Sequence, residues 1–392
     1  MSDARTSAAI PGPAHHNPAG SAQVSLTRSG SVLPPNLKGF SMRGSLKRVL
    51  WAPAVLLVAS SVLAACSSSG GSTSTSSSSP AAGGLKKGLK VFVIPKNLGN
   101  DYFTTADSVD SGGALAALKE LGATGTETSG TEATPASEIP AIQSAITKGA
   151  NALIVSATDP TALCPTLNGA MQKGITVVTY DSDAPTCRNL FVNQASTAQI
   201  GTSEVDVLAK QINNTGDIAI VSAAASATNQ NAWIGYMKQE LKKFPNMHLV
   251  SIVYGNDDPT KATQVTQGLL QQHPNLKGII SPTTVGILAA AQVLDTPKYR
   301  GKIALTGLGT PNSLKKYVHD GTIQKFELWN PADLGYLAGY AAVNVASGKI
   351  DGSAGQSFTA GKLGKFTVGA DKTVLLGPPY VFDKSNIDKF NF

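Results

Sequence analysis

Residues 152–180 read ALIVSATDPTALCPTLNGAMQKGITVVTY, and this stretch decides the fold. Residues 152–156 are an apolar run rich in branched side chains, which predicts a strand. Past Asp159-Pro160, the residues Leu163, Leu167, Ala170 and Met171 recur at i, i+4, i+7 and i+8. A 3.6-residue period puts them on one helix face. Gly174 ends that helix, and residues 176–180 form the next apolar run. Strands without polar alternation, joined through a helix, indicate a parallel sheet buried on both faces.

The same pattern extends in both directions. Residues 89–95 predict a strand and residues 104–121 a helix. Further strands are expected at 217–222, 248–253, 278–281, 303–306 and 323–328, with helices between them. Thr134-Pro135, Asp159-Pro160, Asp258-Pro259, Thr310-Pro311 and Asn330-Pro331 repeat one punctuation. Each pairs a capping side chain with proline in the first helical turn, where the missing N–H costs nothing. Two such α/β runs imply two Rossmann-like lobes with parallel sheets, joined by a hinge. In such sheets ligands gather at the carboxyl ends of the strands.

Upstream, residues 42–66 read MRGSLKRVLWAPAVLLVASSVLAAC. Arg43, Lys47 and Arg48 open it, residues 49–62 are mainly apolar, and small residues precede Cys66. That order predicts an export signal over 42–65, lipid on Cys66 and attachment to a membrane at the extracytoplasmic face. A spanning helix fits less well, because the apolar run falls short of about 20 residues and contains Pro53, Ser60 and Ser61. Residues 1–41 lack periodicity and read as a disordered leader or as sequence before the true start at Met42. Residues 66–86 are a Ser-rich flexible linker. Six basic residues and one acid precede Cys66, so +5 of the net +7 lies there and +2 remains downstream. No basic patch for nucleic acid is present in that remainder.

Two cysteines lie in the body, Cys164 and Cys187, on either side of one predicted strand. An exported protein permits a disulfide between them, and two buried thiols are the alternative. The strand ends carry Lys96 and Asn97 with Tyr102 and Phe103, then Asp181, Ser182 and Asp183, then Asn229, Gln230 and Trp233. Pro282, Thr283 and Thr284 follow, then Trp329 and Asn330. A carboxylate accepts hydroxyl hydrogens, amides donate and accept, a lysine donates, and aromatic faces cover C–H groups. Such a set suits a sugar-like polyol. Taken singly, Asn229 and Asn330 could be helix caps, Phe103 and Trp233 core, and Asp181 a turn residue.

Seven segments carry a family resemblance: IPKNLGNDYF (94–103), SATDPTALCP (156–165), YDSDAPTCR (180–188), TNQNAW (228–233), SPTTVGILAAAQ (281–292), GLGTP (307–311) and LWNPADLGY (328–336). Over residues 89–392 the chain resembles the type I periplasmic binding proteins of sugar ABC transporters, in the rhamnose-binding and autoinducer-2-binding branch. The resemblance implies one lobe from 87–193 and 330–348, and another from 194–329 and 349–392. Crossings are then expected near 192–195, 329–330 and 348–352. It implies ligand contacts at Lys96, Phe103, Asp181, Asn229, Gln230, Pro282, Thr284 and Asn330, a permease as partner, and a monomer without cofactor or metal. Autoinducer-2 receptors are similar at Lys96, Asp181, Gln230 and Pro282, but have aspartate in place of Asn229 and alanine in place of Thr284. The KNLGN, TNQN, PTTVGI and WNP segments look more like rhamnose-type receptors, whereas the surroundings of Cys164 and Cys187 lean to the autoinducer type. A rhamnose-like deoxy sugar is the expected ligand.

Two other classes fit less well. LacI-type repressors share the fold but would open with a helix-turn-helix. An enzyme would need an acid, base or nucleophile constellation, and no histidine lies in one.

Overall fold

The computed structural model describes residues 84–392. The expected leader, export signal, Cys66 and most of the linker lie outside the described residues. The first layer begins with β1 (Lys90–Ile94), α1 (Asp101–Asp107), α2 (Ala114–Glu120), β2 (Thr124–Glu127) and α3 (Pro135–Thr147). It continues through β3 (Ala152–Val155), α4 (Pro160–Gln172), β4 (Thr176–Tyr180) and β5 (Leu190–Asn193). The second holds α5 (Thr197–Gln211), β6 (Gly216–Ser222), α6 (Thr228–Glu240), β7 (Met247–Tyr254), α7 (Pro259–Gln272) and β8 (Gly278–Ser281). Then come α8 (Thr284–Leu294), β9 (Ala304–Gly307), α9 (Pro311–His319) and β10 (Lys325–Leu328). The chain closes with α10 (Pro331–Ala346), β11 (Ser357–Thr359), β12 (Lys365–Thr367), β13 (Thr373–Leu375) and β14 (Tyr380–Asp383).

Among the described residues the first sheet runs β13-β5-β4-β3-β1-β2 and the second β7-β6-β8-β9, with every pairing in both parallel. β10 pairs antiparallel with β14, and a Leu308–Glu327 bridge ties that ribbon to the second sheet. The parallel sheets fit the expected type I architecture.

Strand β1 shows why its residues are apolar without interruption. Val91 and Val93 enter the core under α1, α2 and α10, while Phe92 and Ile94 enter the one under α3 and α4. All four are buried, and each such side chain contributes about 1.5–3 kcal/mol. Helix α4 buries Leu163, Leu167 and Ala170 on its predicted face, and Asp159 caps it by accepting from Thr161 N and Ala162 N. Helix α10 is buried nearly all round because it lies between α1, α2 and the first sheet. A Cβ on its Gly335 would stand 1.7 Å from Ala106 O, so only glycine permits that approach.

Three expectations need correction. The helix over 104–121 is two helices. Asn100 caps α1 so that it starts three residues early, and Ser111 Oγ turns back to Thr105 O at 2.6 Å, breaking the run before Gly112 and Gly113. The Thr310 hydroxyl does not cap α9 but donates to Ser313 Oγ. Last, residues 349–375 do not join the second lobe, because β13 pairs with β5 in the first sheet. The chain leaves for β14 through residues 376–379, where Leu376 N donates to Asn193 O and so runs beside the passage from β5 to α5. The signal was a strand of only three residues, too short to read from periodicity.

Candidate ligand-binding cleft

Loops from the carboxyl ends of both sheets meet at a cavity of about 350 Å³, part of it open to solvent. From the first layer come Lys96, Asn100, Tyr102, Phe103 and Asp181. The second layer adds Asn229, Gln230, Trp233, Asp257, Pro282, Thr283, Thr284, Leu308, Leu328 and Trp329. Seven of the eight expected ligand contacts are therefore together. Asn330 is the exception: its Oδ1 accepts from Ala332 N and caps α10, the structural role that an Asn-Pro pair predicts.

Asp181 follows β4 directly and has a φ of +59°, a left-handed conformation that Asp tolerates better than most residues. Ser156 Oγ, at the end of the adjacent β3, donates to its Oδ2 at 2.7 Å, and Lys96 Nζ lies 3.3 Å from the same oxygen. Lys96 and Asp181 are both buried. With Oδ2 held, Oδ1 takes a long 3.5 Å contact from Asn229 Nδ2, and the Tyr102 hydroxyl bonds the same carboxylate. A bound hydroxyl would find an oriented acceptor there. Asp183, two residues on, does a different job. It takes a bidentate bond from Arg188, which also donates to the carbonyls of Asp371 and Lys372 and so fastens the segment before β13.

The second layer is equally fixed. Gln230 Oε1 accepts from Ser222 Oγ and Ala223 N, both at 2.7 Å, so its NH2 end carries the donors left for a ligand. Asn229 is not a helix cap, since Ala227 holds that position on α6. Phe103, Tyr102, Trp233 and Trp329 are all buried and make the apolar wall. Tyr102 meets Phe103 edge-on at 5.1 Å and Trp329 at 6.2 Å, and Trp329 Nε1 donates to the Tyr102 hydroxyl at 2.9 Å. Burial, and then the Asp181 carboxylate, push the Tyr102 phenol well above its ordinary pKa, so it is a neutral donor.

The two layers touch across the cleft through Ser182–Thr228, Thr228 to Asp183 O, and Ser226 to Thr158 O, at 3.2–3.3 Å. Cys164, on α4, and Cys187 are joined as a disulfide with 5.3 Å between Cα atoms, outside the cavity wall. Asp257, Asn100, Leu308 and Leu328 were missed from the sequence. Asp257 follows the end of β7, so searching every strand end, not only those with amide or aromatic clusters, would have found it.

The profile of a family described as "Periplasmic binding protein domain" matches residues 91–350. A sugar ABC transporter protein of Actinomyces odontolyticus is 44% identical across 78% of this chain and 98% of its own, with a TM-score of 0.61. An ABC transporter solute binding protein of Clostridium phytofermentas, solved with bound L-rhamnose, is 35% identical across 77% and 98%, with a TM-score of 0.74. LsrB of Clostridium saccharobutylicum, solved in complex with AI-2, is 26% identical across 78% and 100%, with a TM-score of 0.72. With the profile covering most of the chain and the fold and cleft in agreement, this chain belongs to the periplasmic binding protein domain family, as a binding protein and not an enzyme.

Proposed function

We propose that the protein is an extracytoplasmic substrate-binding lipoprotein of an ABC importer. It captures a small neutral sugar, a rhamnose-like deoxy sugar by preference, and delivers it to a permease. The observation that carries this reading is the pairing of Asp181 with Asn229 across the cleft. One carboxylate with an amide beside it, walled by Trp233, Trp329 and Phe103, matches hydroxyls on one side and C–H groups on the other. An aspartate in place of Asn229, as in the autoinducer-type receptors, would add a second negative charge beside Asp181. The 35% identity to the L-rhamnose-bound protein supports the same preference. Lipid on Cys66 holds the monomeric body at the membrane, and hinge closure on the sugar makes the form the permease accepts.

A thermal-shift screen tests the ligand. L-rhamnose should raise the melting temperature more than L-fucose, ribose, xylose, galactose or autoinducer-2, because a ligand that binds only the folded state stabilises it by mass action. Stabilisation by autoinducer-2 alone would replace rhamnose with the signalling molecule. No stabilisation by any of them would remove the sugar reading.

A further inference from the structure

We propose that Asp257 is a second ligand-reading acceptor, supplied by the second lobe, and that with Asp181 it restricts the cleft to neutral polyols and rejects sugar acids and sugar phosphates. This rests on the sugar-binding reading above.

The neighbouring aspartates in Asp257-Asp258 have separate fates. Asp258 is exposed and caps α7 by accepting from Lys261 N, an ordinary structural role. Asp257 instead lines the cavity with Lys96 and Asp181. Its loop is tightly fixed. Gly255 N donates to Ser222 O and Asn256 N to Ala223 O, so the loop hangs from the same two residues that orient Gln230. Asn256 and Asp257 both have left-handed backbones, with φ of +56° and +51°. Two such residues in succession raise the cost of the loop, and strain of this kind gathers where a side chain must be aimed. The Thr283 hydroxyl, from the β8–α8 junction, donates to Asp257 Oδ1. That leaves Oδ2 as the free acceptor.

The charges around the cavity give the selectivity. Lys96 pairs with the Asp181 carboxylate at 3.3 Å and also acts on the charge of Asp257. Burial raises the pKa of Asp257 while Lys96 and Thr283 oppose the rise, so the lysine is already committed to protein carboxylates. An incoming carboxylate or phosphate would meet carboxylates on both lobes with no spare cation. A hydroxyl can donate to either, and a polyol long enough to reach both joins the lobes.

Calorimetric titration of the full chain tests this. The probes are the neutral sugars of the screen and D-galacturonate, against wild type, Asp257→Asn and Thr283→Val. Asn suits a left-handed backbone as well as Asp does, so the ligand-free melting temperature of Asp257→Asn should stay near wild type. Its affinity for the sugar that wild type binds should fall roughly 5- to 100-fold. Thr283→Val keeps the carboxylate but loosens it, and should lose a few-fold. Wild type should not bind galacturonate measurably. An Asp257→Asn affinity within twofold of wild type, or measurable binding of galacturonate, overturns this inference and leaves the sugar reading intact. Wild type that binds no neutral sugar overturns both. Should Asp257→Asn fail to fold, an unchanged affinity in Thr283→Val overturns the inference alone.

Discussion

Glu138→Gln should make the protein more resistant to alkaline destabilisation. Glu138 lies on α3 with no solvent exposure, and its Oε2 accepts from Thr158 N at 3.0 Å and Thr158 Oγ1 at 2.6 Å. Oε1 has no partner. Burial lifts its pKa from 4.5 to about 8, against the Thr158 bonds and the nearby Lys96, which favour the charged form. Below about pH 4.5 the folded and unfolded chains both hold the proton. Between there and about pH 8 only the folded chain keeps it, so stability falls as pH rises, and above pH 8 the loss is complete. At about 1.4 kcal/mol per unit this amounts to on the order of 5 kcal/mol, a large part of the 5–15 kcal/mol typical of a domain. Glutamine copies the protonated acid, with its NH2 in place of the Oε1 hydroxyl and its oxygen still bonded to Thr158. Urea unfolding of both proteins from pH 4.5 to 9 gives the difference, in which contributions common to both, such as buried Glu204 and Asp107, cancel. The two should be nearly equal at pH 4.5, and the variant should be several kcal/mol more stable by pH 8.5. A difference that does not change with pH would refute a buried neutral Glu138.

Asp181→Ala should lower sugar affinity tenfold to a hundredfold or more by calorimetry, since it leaves a hydroxyl unpaired in a water-poor cleft; Thr284→Ala should weaken binding only modestly. Reducing the Cys164–Cys187 disulfide, which spans 23 residues, should cost about 3 kcal/mol of unfolding free energy, with sugar affinity unchanged because neither cysteine lines the cavity. Cys66→Ala should move the protein from the detergent phase to the aqueous phase in phase partitioning, with binding intact; equal partitioning would remove the lipid anchor.

The alternation of strands and helices was readable because it is local. Residues 152–180 hold their period, their cap and their stop within one stretch, and the structure places a strand, a helix and a strand there. Most of the cleft was readable for a related reason, since strand ends can be found once strands are found. What escaped depends on distant contacts. β13 is a strand only because β5 lies beside it, and its three residues have no pattern of their own. The division between α1 and α2 depends on Ser111 reaching Thr105. Asn330 and Asn229 look alike in sequence, but one follows the last strand before a buried helix and caps it, while the other lies inside the first turn of α6. Asp257 was hidden beside Asp258, whose Asp-Pro signature drew the structural reading to the pair.

The distances in the cleft separate what is prepared from what a ligand must supply. Within each layer the bonds that orient site residues are short: Ser156 to Asp181 and Ser222 to Gln230 are both 2.7 Å. Across the layers the polar contacts near Asp181 are longer, 3.2 Å for Ser182–Thr228 and 3.5 Å for Asn229 to Asp181, while a buried 2.9 Å bond from Trp329 to Tyr102 joins the aromatic wall. Each half-site is thus rigid before binding, and little ordering cost falls on the protein side chains. The long contacts near Asp181 are part-buried and weak beside the short bonds within each layer. A ligand that moves the lobes from almost wholly open to almost wholly closed must favour the closed form by about 5.5 kcal/mol. At roughly 1 kcal/mol net per hydrogen bond, five or six well-placed bonds suffice, and a sugar bridging Lys96 and Asp181 on one side and Asn229, Gln230 and Asp257 on the other can make them. A smaller polyol that reaches one layer alone would bind without bringing the lobes together.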